Sequence, residues 1–103
     1  MAQTFMYTNG YKNTAAVITT ADSIALSAAQ KKPVICITAS AASKTITLGL
    51  DEGETAIVAN VGGVNAFTVK NVEGDTGTSI ATGKVALVIG SATADASKVY
   101  VLN

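Results

Sequence analysis

Eight short runs of β-branched and small apolar residues, each six or seven positions long and each closed by turn-forming residues, restrict this chain to a β architecture. They are TAAVITT (14–20), DSIALS (22–27), PVICITA (33–39), KTITLGL (44–50), TAIVAN (55–60), AFTVKN (66–71), KVALVIG (84–90) and KVYVLN (98–103). The separators DEGE, VGGVN, EGDTGT and SATADAS are rich in Gly, Asn, Asp and Ser, the residues that turns select. About eight short strands at this spacing predict an all-β fold, a small antiparallel β-sandwich or barrel, rather than alternating βα units.

Alternation within the runs assigns their faces. In KTITLGL, Ile46, Leu48 and Leu50 share one side while Thr45, Thr47 and Gly49 share the other, as in a strand with one buried face. Phe67 and Val69 likewise oppose Thr68 and Lys70. Val85, Leu87 and Ile89 alternate with Ala86 and Val88, apolar on both sides, which predicts a strand that is central or covered. The stretch 22–33 has two readings. Asp22 can cap a helix that ends at Lys31, Lys32 and Pro33, or a strand through Leu26 can lead into a short helical turn; the second is preferred.

With 103 residues the chain suits one core. Its apolar content is mostly Ala, Val and Ile, and there are five aromatics, so burial per side chain is modest. Charged residues make up 14 % and the formal net charge is zero, which leaves a lone monomer little colloidal protection and points to surface buried in an assembly. Arginine is absent and the lysines are scattered, apart from Lys31 and Lys32. No basic stripe is available to displace counterions, so nucleic acid is not an expected partner. The single cysteine, Cys36, reads as a small buried hydrophobe, since a catalytic thiol needs a basic partner and the chain has no histidine. The start MAQTFMYTNGYKN lacks the pattern of a secretory signal, and no apolar run approaches a membrane span of about 20 residues. Synthesis in a cytoplasm is expected, with no membrane partner.

The N-terminal stretch differs from the remainder. Residues 1–13 hold Phe5, Met6, Tyr7 and Tyr11, and YTNGY sets Asn9 and Gly10 at the centre of a possible type I′ hairpin. This predicts an N-terminal arm or hairpin ahead of a β-sandwich domain at 14–103. Such a segment either packs on its own domain as an edge hairpin or anchors to a neighbour, and the enrichment of aromatics and Met at interface cores favours the arm.

Reactive constellations are sparse. Nucleophilic catalysis by Ser or Cys lacks its usual base, and the pairs Ser43–Lys44 and Ser97–Lys98 are adjacent residues that a strand would point to opposite faces. Asp51, Glu52 and Glu54, with Asp75, offer hard oxygens for calcium but without EF-hand spacing, and for DEGE a solvated turn that bends at Gly53 is the preferred reading. Two carboxylates could in principle perform glycosidase chemistry, and a turn is the simpler reading. Zinc lacks ligands, and NVGGVN has neither the lysine nor the helix of a phosphate loop. No cofactor, no metal and no enzymatic activity are expected. Gly53, Gly62, Gly63, Gly74 and Gly77 are assigned to turns, with positive φ expected at Gly62 and Gly63.

From Thr45 onward the motifs TITL, IVANVGG, TVKN, GDTG, GKVALV and VYVL follow one another at Thr45–Leu48, Ile57–Gly63, Thr68–Asn71, Gly74–Gly77, Gly83–Val88 and Val99–Leu102. In this order the chain, over residues 14–103, resembles the β-rich modules of tailed-bacteriophage virion proteins: capsid decoration (cement) proteins, head fibres and tail fibres. It departs from many of them in carrying Leu48-Gly49-Leu50-Asp51 where Leu-Pro is common. The resemblance implies a non-enzymatic structural protein on the capsid exterior, stabilising the shell through the major capsid protein and forming a homo-oligomer, with a trimer favoured. The chain length suits a stand-alone shell accessory. The arm residues Phe5, Met6, Tyr7 and Tyr11 would anchor it. The alternative is the base or knob of a head or tail fibre that recognises a host-surface glycan. The likeness runs through scaffold residues, so it transfers no ligand or catalytic position.

Overall fold

A computed structural model describes residues 15–102, so the predicted arm, including Asn9 and Gly10, lies outside the described residues. Among these residues nine strands are formed: β1 (Ala15–Thr20), β2 (Ile24–Ala25), β3 (Val34–Ala39), β4 (Lys44–Thr47), β5 (Thr55–Asn60), β6 (Phe67–Lys70), β7 (Thr78–Ile80), β8 (Val85–Ile89) and β9 (Lys98–Leu102). They make two sheets, a five-stranded one in the order β1-β3-β5-β8-β9 and a four-stranded one in the order β2-β4-β6-β7. The result is a sandwich-like fold and not a barrel. A 3₁₀ turn at Ala28–Gln30 follows β2, as the preferred reading of that stretch expects, held by the Ser27 N–H donating to Gln30 Oε1 at 2.9 Å.

The expected antiparallel order is corrected. β1, β3 and β5 are mutually parallel, as are β2, β4 and β6, and only β7, β8 and β9 pair antiparallel. The chain alternates between the sheets as a flattened coil of three turns, then reverses to close both sheets. Parallel neighbours need a crossover connection, and here the intervening strand of the opposite sheet supplies it. The second and third turns lie 23 residues apart in both sheets, Val34 beside Ile57 and Lys44 beside Phe67, whereas the first and second are offset less, Ala15 beside Val34 and Ile24 beside Ile46.

The alternation read from the sequence determines what the coil encloses. Ile35, Ile37, Val58, Ala86 and Val88 from the larger sheet meet Ile46, Phe67, Val69 and Ile80 from the smaller one, all at 2 % exposure or less. Leu26, Leu48 and Leu50 in the connections fill the margins of the same core. β8 is interior to its sheet, between β5 and β9, as expected for a strand apolar on both sides.

Two buried asparagines close the sandwich at opposite ends. Asn60, the last residue of β5, donates through Nδ2 to the carbonyls of Asn65 and Ile80 and accepts from the Gly62 N–H. Asn71, just after β6, donates to the carbonyls of Leu50 and Ser91 and accepts from the Leu50 N–H at 2.7 Å. Each thereby satisfies loop backbone that would otherwise be buried unpaired.

Candidate interaction surfaces

Of the carboxylates flagged as possible ion ligands, those of Glu52, Glu54 and Asp75 fasten turns. One oxygen of Asp75 accepts the N–H groups of Asn71 and Val72, at 2.9 and 3.2 Å, and the other accepts that of Asp95 at 2.7 Å. Asp95 returns the contact, accepting the Thr76 N–H at 2.7 Å, and sits in the left-handed region at φ 60°, which Asp tolerates. Glu52 accepts from Ser91 Oγ and the Ala92 N–H, and Glu54 from the Asp51 N–H. The turns at 50–54, 71–77 and 90–97 are thus tied together at one end of the sandwich. Among the described residues no three acidic, cysteine or histidine side chains gather as a metal cluster.

Burial pushes the Asp75 carboxyl up, but the three backbone N–H donors and the nearby Lys70 charge outweigh it and hold the group below its ordinary value. Its ionised form is therefore part of the fold. Of the serine–lysine pairs, Ser97 Oγ is engaged with the backbone of Ser91, accepting its N–H at 2.8 Å and donating to its carbonyl at 3.2 Å. Ser43 occupies a turn at φ 61°.

The glycine assignments divide. Gly53 and Gly77 have φ of 77° and 90°, whereas the positive φ expected at Gly62 and Gly63 is not found. Gly62 is needed for closeness instead: a Cβ there would lie 3.1 Å from Thr38 Cγ2 and 3.5 Å from Asn60 Oδ1.

The outer faces of the two sheets contrast. On the four-stranded sheet Thr45, Thr68 and Ser79 lie in register, with Ala25, Thr47 and Lys70 in the next row. A shallow groove of about 370 Å³ on this side is lined by Ser23, Thr45, Thr47, Lys70 and Glu73, among others. It is a hydroxyl-rich, wet surface.

On the five-stranded sheet two rows cross all strands. One runs Ala15, Val34, Ile57, Leu87, Tyr100 and the other Val17, Cys36, Ala59, Val85, Leu102. None of the ten carries a charge. Val17 is 80 % exposed, Tyr100 52 %, Leu102 50 % and Ile57 40 %, while Val34, Cys36, Val85 and Leu87 are half-buried among them. Cys36 is therefore on the outer face, not in the core as its neighbours in sequence suggested, because β3 alternates Ile35 and Ile37 inward. Beyond this face, Val61 and Val64 project from the loop after β5 at 55 % and 85 % exposure.

Sequence reasoning placed the apolar outer residues in strands but gave them no function; their in-phase stacking depends on strand order. Of the aromatics outside the arm, Phe67 is sealed in the core and Tyr100 is exposed. No helix among the described residues is long and apolar enough to cross a membrane. No protein-family model matches the chain, and no curated protein or solved structure is detectably similar to it.

Proposed function

We propose that this chain is a virion structural protein of a tailed bacteriophage, a decoration (cement) subunit that binds the outside of the shell through the major capsid protein and acts by contact, without catalysis. The observation that carries the reading is the pair of uncharged rows, ten residues in all, on the outer face of the five-stranded sheet, on a chain whose formal net charge is zero. Apolar surface of this extent suits burial in an assembly. The tying of acidic turns to backbone adds rigidity, which lowers the ordering cost of docking. The motif order shared with phage virion modules supplies the biological setting. In this reading many copies, themselves oligomeric, straddle subunit borders and stabilise the shell because they bind only its assembled state.

The N-terminal Phe5, Met6, Tyr7 and Tyr11 are the proposed shell anchors. Deletion of residues 2–12 is expected to leave a folded domain that no longer co-sediments with particles lacking the protein. Retention of full binding by the truncated chain would remove the arm from the mechanism.

A second reading, the base or knob of a head or tail fibre that binds host glycans, is favoured by the hydroxyl-lined groove with Lys70 and Glu73. Sugar rings usually also stack on exposed aromatics, and outside the arm Tyr100 alone is exposed, on the opposite sheet. Micromolar binding on a glycan array, lost in Lys70→Ala, would favour this reading over the first.

A further inference from the structure

We infer that the outer face of the five-stranded sheet is the surface through which copies of this chain meet one another. The inference rests on the reading of the chain as an assembling protein and assigns one of its contacts to a defined face.

Three features of the face point to a second copy. Its two central rows hold no charge, so like meets like without an unpaired ion, and copies of zero formal net charge have no net long-range repulsion to overcome. Its size suits a weak, reversible contact. Five strands at a spacing of about 4.8 Å and five residues at about 3.3 Å give a footprint of roughly 24 by 17 Å, and two such faces in contact remove roughly 800 Å² of surface, at the low end for specific association.

Its shape is also self-complementary. A twisted sheet packs best on another of the same twist, with apolar side chains interdigitating across about 10 Å, and an identical copy presents a matching sheet. The acids lie elsewhere, and one lysine shares the face. Lys98 stands at the margin beside Ile89 and Thr55, and the Asp75–Asp95 fastening belongs to the turns at one end. A contact made here leaves the N-terminal segment for the shell.

The test is the solution mass of the full-length chain by sedimentation equilibrium at about 100 µM, for wild type and three variants. Ile57→Lys places a charge at the centre of the face and Val17→Lys near its edge, both at positions exposed in one copy. Thr45→Lys puts the same charge on the other sheet. Wild type and Thr45→Lys are expected at a multiple of 10.3 kDa, with Ile57→Lys and Val17→Lys at the monomer mass and an unchanged far-ultraviolet spectrum. Cys36 supplies a second readout: its reaction with a maleimide should slow at least several-fold in the wild-type assembly and recover in the folded Val17→Lys monomer.

A monomeric wild type, or lysine variants that keep the wild-type mass, would overturn the inference. A wild-type monomer that still binds particles would overturn this contact alone. Wild type that self-associates through the face but is missing from particles would uphold the contact and remove the virion reading.

Discussion

At the scale of single residues, the fold depends on a few polar side chains that hold loop backbone. Asp75 is the clearest. Its pKa lies below the ordinary 3.8, so its stabilisation is complete above about pH 4 and fades as pH falls through the lowered folded value. Asp75→Asn would turn an amide NH₂ toward an N–H that the carboxylate now accepts. The expected cost is roughly 2–3 kcal/mol at pH 7, and the gap to wild type should narrow below about pH 4 in urea titrations. A gap independent of pH would refute that account. Asn71→Ala leaves the Leu50 N–H and the carbonyls of Leu50 and Ser91 without their partner, with an expected loss of about 3 kcal/mol measured the same way. Gly90 packs so closely that a Cβ would sit 2.6 Å from Leu50 Cβ and 2.9 Å from the Asp51 carbonyl oxygen. Gly90→Ala should cost about 2 kcal/mol through forced backbone movement. None of these three roles was legible from sequence. Asp75 read as an ion ligand or a solvated turn because its donors, Asn71, Val72 and Asp95, are brought to it only by the turns at 71–77 and 90–97.

At the scale of elements, periodicity carried far and pairing did not. The period-two pattern put Ile46, Leu48 and Leu50 inside and Thr45 and Thr47 outside, where the structure has them. A short strand bounded by turn residues reads the same whether the chain then makes a hairpin or crosses to the facing sheet. The parallel coil was hidden for this reason, and also because its turns share little identity: across 34–47 and 57–70, which lie 23 residues apart, one position matches, Thr45 with Thr68. What repeats is burial, Ile46 beside Val69 and Ile35 beside Val58. β7, with three residues and two of them hydroxylated, gave no apolar run to find. Inner and outer positions should respond differently to truncation. Ile46→Ala opens a cavity and should cost about 2–4 kcal/mol in chemical denaturation, whereas Val17→Ser should change the stability of the monomer by less than about 0.5 kcal/mol.

At the scale of the whole molecule, the sandwich is polar on one outer face and apolar on the other, with Glu52, Glu54, Asp75 and Asp95 fastening turns at one end. That asymmetry suits the proposed role of a building block, with one side to be covered and one to face solvent. Low charge and scarce aromatics already hinted at an assembly in the sequence. The face itself became visible only when five strands were placed in order. The most direct test of a decoration role is the number of copies of this chain per purified virion, by quantitative mass spectrometry against the major capsid protein. A ratio near parity is the expected result. A few copies per hundred would contradict a shell-covering role and assign the chain to a fibre or knob.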